Sequence, residues 1–204
     1  LTLIGFFMNK TFKNYIFSRQ IILVSLIFLI CFIFTTYLHT TFTKKEAIKH
    51  SEGISKQVFS SMYQVMRKGW SREDVIIFAK SLEDNFVGSN YQINIYRADK
   101  VKQLFGEIQE KEKDATLVDI LNGKIEKLNG FEDNIVRNIL PLKATVDCKS
   151  CHLNAEVGDV LGVVEVKQNL NSIFLESKYQ YIVFFLIIVP IFYLLAFFSS
   201  RYTD

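Results

Sequence analysis

Two stretches of the chain carry almost no polar residue, while the pattern between them is that of a water-soluble domain. From Ile21 to Leu38 (IILVSLIFLICFIFTTYL) there is no charge, and only Ser25, Thr35 and Thr36 are plainly polar. At about 1.5 Å per helical residue this run reaches about 27 Å, close to the roughly 30 Å of a bilayer's hydrocarbon core. From Tyr179 to Phe198 (YQYIVFFLIIVPIFYLLAFF) there is again no charge. Pro190 inside it is a kink that a membrane helix tolerates. Tyr179, Tyr181 and Tyr202 lie near its ends, where amphipathic rings favour the headgroup zone. Buried core helices are the bland alternative, but the runs are too long and too uniformly apolar for a domain this small to bury both. The pattern predicts two transmembrane helices. A cleaved signal peptide is the rival for the first run, with Lys10, Lys13 and Arg19 as its basic region. The run exceeds the usual apolar core of such a peptide, and no Ala-x-Ala-like site follows, so an uncleaved anchor is expected. The residues LTLIGFF precede Met8, and the natural start is expected at Met8 or at a non-AUG codon for Leu1.

Between the spans the periodicity changes several times. Ile54, Val58, Met62, Val65 and Met66 recur at helical spacing, which predicts a helix over Lys44–Lys68 continuous with the first span and ended by Gly69. Ser71 suits the N-cap of a second helix, Arg72 to Phe86, and Trp70 is expected to anchor the junction. Tyr91 to Arg97 alternates as a strand does. Short helices are expected over Asp99–Phe105 and over Lys111–Gly123. Asn134–Leu142 reads as extended, and the β-branched run Val160–Val166 as a strand. Asn169 or Asn171 would cap the helix that enters the second span. Helices followed by a few strands imply an α+β domain with an antiparallel sheet. The predicted organisation is a cytoplasmic N-terminus (1–20), a first span (21–38), an extracytoplasmic domain (39–178), a second span (179–199) and a cytoplasmic tail (200–204).

Charge adds the topology and little else. Of 24 Lys and Arg, all but Lys10, Lys13, Arg19 and Arg201 lie in the central domain, as do all but one of 21 Asp and Glu. That domain is therefore neutral, with no basic patch for nucleic acid. The basic termini favour a cytoplasmic side for both ends, although Lys44, Lys45 and Lys49 flank the first span on its other side.

The candidate chemistry lies in Cys148-Lys149-Ser150-Cys151-His152. CxxCH is the attachment signature of c-type haem. Each thiol adds to one porphyrin vinyl group, and the adjoining histidine becomes the proximal iron ligand. Three other readings remain beside it. A thiol–disulfide pair uses CxxC, usually at a helix start in a βαβ setting, which is not visible here. A zinc site needs a fourth ligand, and only His39 and His50 remain as histidines. A disulfide across two residues is strained. Cys31, in the first span, reads as a packing residue. Covalent haem is attached outside the cytoplasmic membrane, so the motif places residues 39–178 in the periplasm or its equivalent. For the sixth iron position, Met66 or Met62 is the first candidate, His50 the next, and an open or water-bound site the third. Arg67, Lys68 and Arg137 are candidates to pair with the haem propionates, or else are solvated surface charges.

Arg137-Asn138-Ile139-Leu140-Pro141-Leu142-Lys143-Ala144, the CxxCH motif and Gly158-Asp159-Val160-Leu161-Gly162-Val163-Val164-Glu165-Val166 together resemble the haem-binding sensor domains of the Tll0287-like (DUF3365) family. The helix Ser61-Met62-Tyr63-Gln64-Val65-Met66-Arg67-Lys68-Gly69-Trp70 resembles that family's first helix. The resemblance covers about residues 45–170. It implies a PAS-like fold, with haem at one side of a central antiparallel sheet. It also implies a distal ligand from the helix, which carries over to Met66 or Met62. Such domains sit between two spans in bacterial chemoreceptors, histidine kinases and diguanylate cyclases. Receptor-type members continue past the second span into an output region, while this sequence ends at Asp204. The expectation is a truncated sensor, a split gene product, or a subunit that signals through a kinase, cyclase or chemoreceptor partner, as a homodimer in the bacterial cytoplasmic membrane. The alternative is a membrane-anchored mono-haem cytochrome for electron transfer, and a third reading is a haem-independent small-molecule binding module. No nucleophile–base pair and no phosphate loop is visible, so catalysis is not expected.

Overall fold

A computed structural model describes residues 2–202 except Trp70, Val87 and Gln109. The expected anchoring role of Trp70 thus lies outside the described residues. The chain divides into two compact units. One gathers the residues up to Phe42 with those from Ser172 onward, and the other is Thr43–Asn171.

The first unit pairs the start of helix α1 (Thr2–Met66) with helix α5 (Asn171–Tyr202). Both helices are long and apolar enough to cross a membrane, and neither apolar window is buried. Their contacts are aromatic: Phe28 meets Phe185 and Phe192 edge-on, Phe32 meets Phe185, and His39 packs on Tyr181. Ser25 and Tyr193 share a hydrogen bond, and Ser25 also bonds back to the Ile21 carbonyl at 2.8 Å. These polar atoms are thus satisfied within the apolar runs, as a hydrocarbon environment requires.

The second unit is α+β. The rest of α1 is followed by α2 (Arg72–Asn85), β1 (Tyr91–Arg97), α3 (Asp99–Phe105), α4 (Ala115–Leu121), β2 (Leu128–Glu132), β3 (Ile135–Lys143), a 3-10 turn at Val146–Ser150 and β4 (Val160–Asn169). The strands form one antiparallel sheet in the order β1-β4-β3-β2. α1 stops where Gly69 adopts a φ of 83°, a conformation that costs glycine no steric clash. α2 opens on a reciprocal capping box: Ser71 Oγ accepts from the Asp74 amide at 3.2 Å, and the Asp74 carboxylate accepts from the Ser71 amide at 2.8 Å.

Strand β2 does not follow from the sequence pattern. Leu128-Asn129-Gly130-Phe131-Glu132 has little β propensity, and it becomes a strand by pairing along β3. Asp133 and Asn134, both with positive φ (49° and 61°), make the two-residue turn of this hairpin. Asn134, expected in the extended segment, belongs to the turn. Pro141 lies beyond the end of β2's pairing, where β3 has an open edge and a missing amide costs no ladder bond. Within the expected Lys111–Gly123 helix only Ala115–Leu121 is helical, because Asp114 caps it by accepting from the Leu117 amide.

The sheet buries both faces. On one, Ile93, Leu142, Val164 and Val166 pack with Val58 and Met62 of α1, with Phe78 and Leu82 of α2 against them. On the other, Tyr96, Ile139 and Val163 pack with Leu117 and Ile120 of α4. Each fully buried aliphatic side chain here contributes about 1.5–3 kcal/mol. Of the α1 periodic set, Val65 alone stays more than a third exposed.

Candidate cofactor site

The CxxCH segment is held as one tight turn. The Cys151 and His152 amides both donate to the Cys148 carbonyl, at 3.3 and 2.9 Å. Its entry and exit are stitched together, since the Ala144 amide donates to the Asp159 carbonyl at 2.7 Å and the Gly158 amide to the Ala144 carbonyl at 2.9 Å. The exit loop is tied to α3 by the Lys100–Asp159 ion pair and by Asn154, whose side-chain amide donates to the Lys100 carbonyl at 2.8 Å. Tyr63 of α1 donates to Asp147 at 3.1 Å, joining the helix to the turn. That bond to the Asp147 carboxylate holds the Tyr63 phenol above its ordinary pKa.

Both thiols are free: Cys148 is half-buried and Cys151 exposed. The Thr145 hydroxyl lies 3.3 Å from Cys148 Sγ, and the Ser150 hydroxyl 3.8 Å from Cys151 Sγ. His152 packs edge-on against Phe105. Its Nδ1 is buried and has no hydrogen-bond partner among the described residues. Burial, and then the nearby Arg97 cation, push its pKa below the usual histidine value. The ring is therefore neutral near pH 7, the form in which imidazole binds metals.

Cys148, Cys151 and His152 line one cleft of about 240 Å³ together with Met62 and Met66. The two methionines come from one face of α1, as their four-residue spacing requires. Met62 is nearly buried in the core, and Met66 is half-buried at its margin. His50 is exposed and does not line the cleft. The charged cleft residues are Arg67, Arg97, Lys143 and Asp147. Of the expected cationic candidates only Arg67 is at the cleft. Lys68 is exposed and outside the lining, and Arg137 is committed elsewhere. The Arg137 guanidinium donates to the fully buried Glu165 at 2.6 and 2.7 Å and pairs with Asp114. Neither the propionate-pairing expectation nor the solvated-charge expectation describes Arg137. Arg97 and Lys143 are not legible as cleft residues in the sequence, because their place depends on strand pairing; Lys143 ends the strand just before the motif, whereas Arg97 ends β1, far from it along the chain.

Among the described residues no group of three or more His, Cys, Asp and Glu gathers as a metal cage. A second recess, about 500 Å³, is lined by Asp99, Lys100, Lys113, Asn122 and Asp159 with neighbours. It includes no cysteine, histidine or methionine, and both of its cations are engaged, Lys100 with Asp159 and Lys113 with Glu110.

Comparison of the sequence with protein-family models finds no match, and comparison with curated proteins finds no relative.

Proposed function

We propose that the unit between the apolar helices is a sensor domain that carries one covalent c-type haem, held by Cys148 and Cys151 with His152 as proximal ligand. The observation that carries this reading is the meeting of both free thiols, the neutral imidazole and two thioethers on a single cleft. The unpartnered Nδ1 of His152 adds to it, since a buried polar atom without a partner is uncommon unless a ligand completes the site. The residues present fit the group. The cleft, about 240 Å³, is lined chiefly by apolar side chains around the two thiols and the imidazole, which suits the apolar body of a porphyrin. When bound, haem supplies an iron that changes oxidation state and can take a small ligand.

The chain's own residues then set the response. Met66, at the cleft margin, is the preferred sixth ligand over the more deeply packed Met62. Met66 ends a helix that contains the first apolar run, so a change in what it binds acts on that helix. Any such signal requires the two states of the site to bind the helix differently. The antiparallel sheet with helices on it agrees with a PAS-like, DUF3365-type domain. Two helices long and apolar enough to cross a membrane support this reading, in which the protein sits in the bacterial cytoplasmic membrane with the haem domain outside and works as a homodimer with a cytoplasmic kinase, cyclase or chemoreceptor.

The alternative, electron transfer, is favoured by one feature. Val146, Leu153 and Val157 flank the motif and are 59–80% exposed, an apolar rim of the kind a redox partner covers. Spectra of the oxidised and reduced protein separate the two readings. Sensing predicts a ligand or spin-state change on reduction, and Met66→Ala should open the site to carbon monoxide. One low-spin six-coordinate species in both states, inert to small gases, would move the assignment to electron transfer.

A further inference from the structure

We propose that Thr145 is a positioning residue for covalent attachment: its hydroxyl holds the Cys148 sulfur at the cleft, so that Cys148 is the pre-set thiol of the pair. This rests on the haem reading above and assigns a residue outside the CxxCH motif to the bond-forming step.

Thr145 stands at the N-cap of the 3-10 turn that carries the motif. A threonine there ordinarily accepts a backbone amide of the first turn on its hydroxyl. Thr145 makes no such side-chain cap. The Cys148 amide bonds instead to the Thr145 carbonyl at 3.1 Å, and the Thr145 hydroxyl meets Cys148 Sγ at 3.3 Å. The hydroxyl is thus spent on sulfur and not on the capping role that its position offers.

The residue that supplies this hydroxyl is held rigidly. Ala144, its neighbour, is buried, and both its amide and its carbonyl are bonded to the exit loop, at Asp159 and Gly158. The branched Cβ of threonine restricts χ1 further. Cys148 is half-buried and lines the cleft, whereas Thr145 is exposed and reaches the sulfur from outside the lining. Cys151 is placed differently. It is exposed, and the Ser150 hydroxyl, 3.8 Å from its Sγ, already donates to the Asp147 carbonyl at 2.8 Å.

The step itself is an addition. The Cys148 S–H bond breaks, the sulfur bonds to one carbon of a porphyrin vinyl group, and the hydrogen goes to the other carbon. No oxidant or reductant is consumed. The rate follows the fraction of time that the sulfur stands in the reacting geometry. A hydroxyl that holds the sulfur in one rotamer raises that fraction and takes no part in the bond change. One net hydrogen bond supports about a fivefold change in it.

The test uses full-length protein made in a host that attaches c-type haem. The purified chain is denatured, treated with iodoacetamide and mapped by peptide mass spectrometry, which reads the free share of each cysteine separately. Thr145→Val keeps the shape and removes the hydroxyl. It should raise the free share of Cys148 about fivefold and leave that of Cys151 unchanged. A haem left on Cys151 alone keeps one vinyl group, so the α-band of its reduced pyridine complex should move to longer wavelength. Thr145→Ser, which restores the hydroxyl, should return both readouts close to wild type. A merely loosened turn would free both thiols alike. Equal rises at the two cysteines, no change at either, or no recovery in Thr145→Ser overturns the proposal. If Thr145→Val does not accumulate, Thr145→Ala decides by the same split. Wild-type protein with both cysteines fully alkylated and no haem stain removes the haem reading itself and this inference with it, a result distinct from the others.

Discussion

Replacing Arg137 by methionine should destabilise the sheet-bearing unit severely. Glu165 is fully buried in the face of β4 that meets α4. Its carboxylate accepts from Arg137 Nε at 2.7 Å and Nη2 at 2.6 Å, from Asn94 at 2.9 Å and from the Tyr96 hydroxyl at 3.3 Å. Burial, reinforced by this carboxylate, keeps the Tyr96 phenol protonated far above its ordinary range. Methionine preserves the stem of the arginine and deletes both charge-assisted bonds. Glu165 is left with two neutral donors and with Lys167, whose Nζ is 3.5 Å away and which is over a third exposed. Removing one partner of a buried ion pair costs about 3–5 kcal/mol. For a unit of this size that corresponds to a fall in melting temperature of roughly 10–20 °C. The assay is thermal unfolding of the detergent-solubilised chain, followed by near-ultraviolet circular dichroism. Adding Glu165→Gln should restore at least half the loss, because it removes the stranded charge and keeps the oxygen that Asn94 and Tyr96 bond. A fall under roughly 4 °C in the single variant, or no recovery in the double, would refute the argument that the pair is held by mutual compensation.

Gly162→Ala tests the backbone approach between β1 and β4. A Cβ there would lie 2.7 Å from the Tyr96 carbonyl oxygen, a paired main-chain atom that cannot yield, so a loss of about 1–3 kcal/mol is expected, and a wild-type melt would contradict it. The exit loop after the motif carries a pH prediction. Lys100 and the Glu156 amide hold Asp159 below its ordinary carboxylate pKa. Because the folded value is the depressed one, the contribution is complete above the unfolded value of about 3.9 and is lost as pH falls through the lower folded value. The Glu156 amide resonance should therefore stay constant from pH 7 to 5 and move only below about pH 4, whereas a change centred near pH 6 would show that another group governs the loop.

The parts of this structure that are legible in the sequence are those whose signal is local. β1 and α3 occupy the predicted residues because alternation at Tyr91–Arg97 and the short apolar turn at Asp99–Phe105 need no partner to be recognised. β4 runs three residues beyond Val166, to Asn169, because pairing with β3 extends the ladder past the apolar run. β2 is invisible for the same reason reversed: its pairing, not its composition, makes it a strand. The motif and the two methionines are legible through spacing alone. The fate of the cations is not. Arg137 and Arg97 both lie on strands, but sheet register turns Arg137 toward Glu165 and Asp114, while Arg97, opposite Gly162, lines the cleft. A one-residue difference in strand parity separates these roles, and only the assembled sheet fixes that parity.

The central claim is covalent attachment at Cys148 and Cys151, and denaturing electrophoresis with haem staining tests it most directly. Full-length protein made in a host that attaches c-type haem should give a stained band at the mass of the chain. Cys148→Ala with Cys151→Ala should abolish that band while the protein still accumulates in the membrane fraction. A wild-type band without stain, or a double variant that keeps it, would contradict the account.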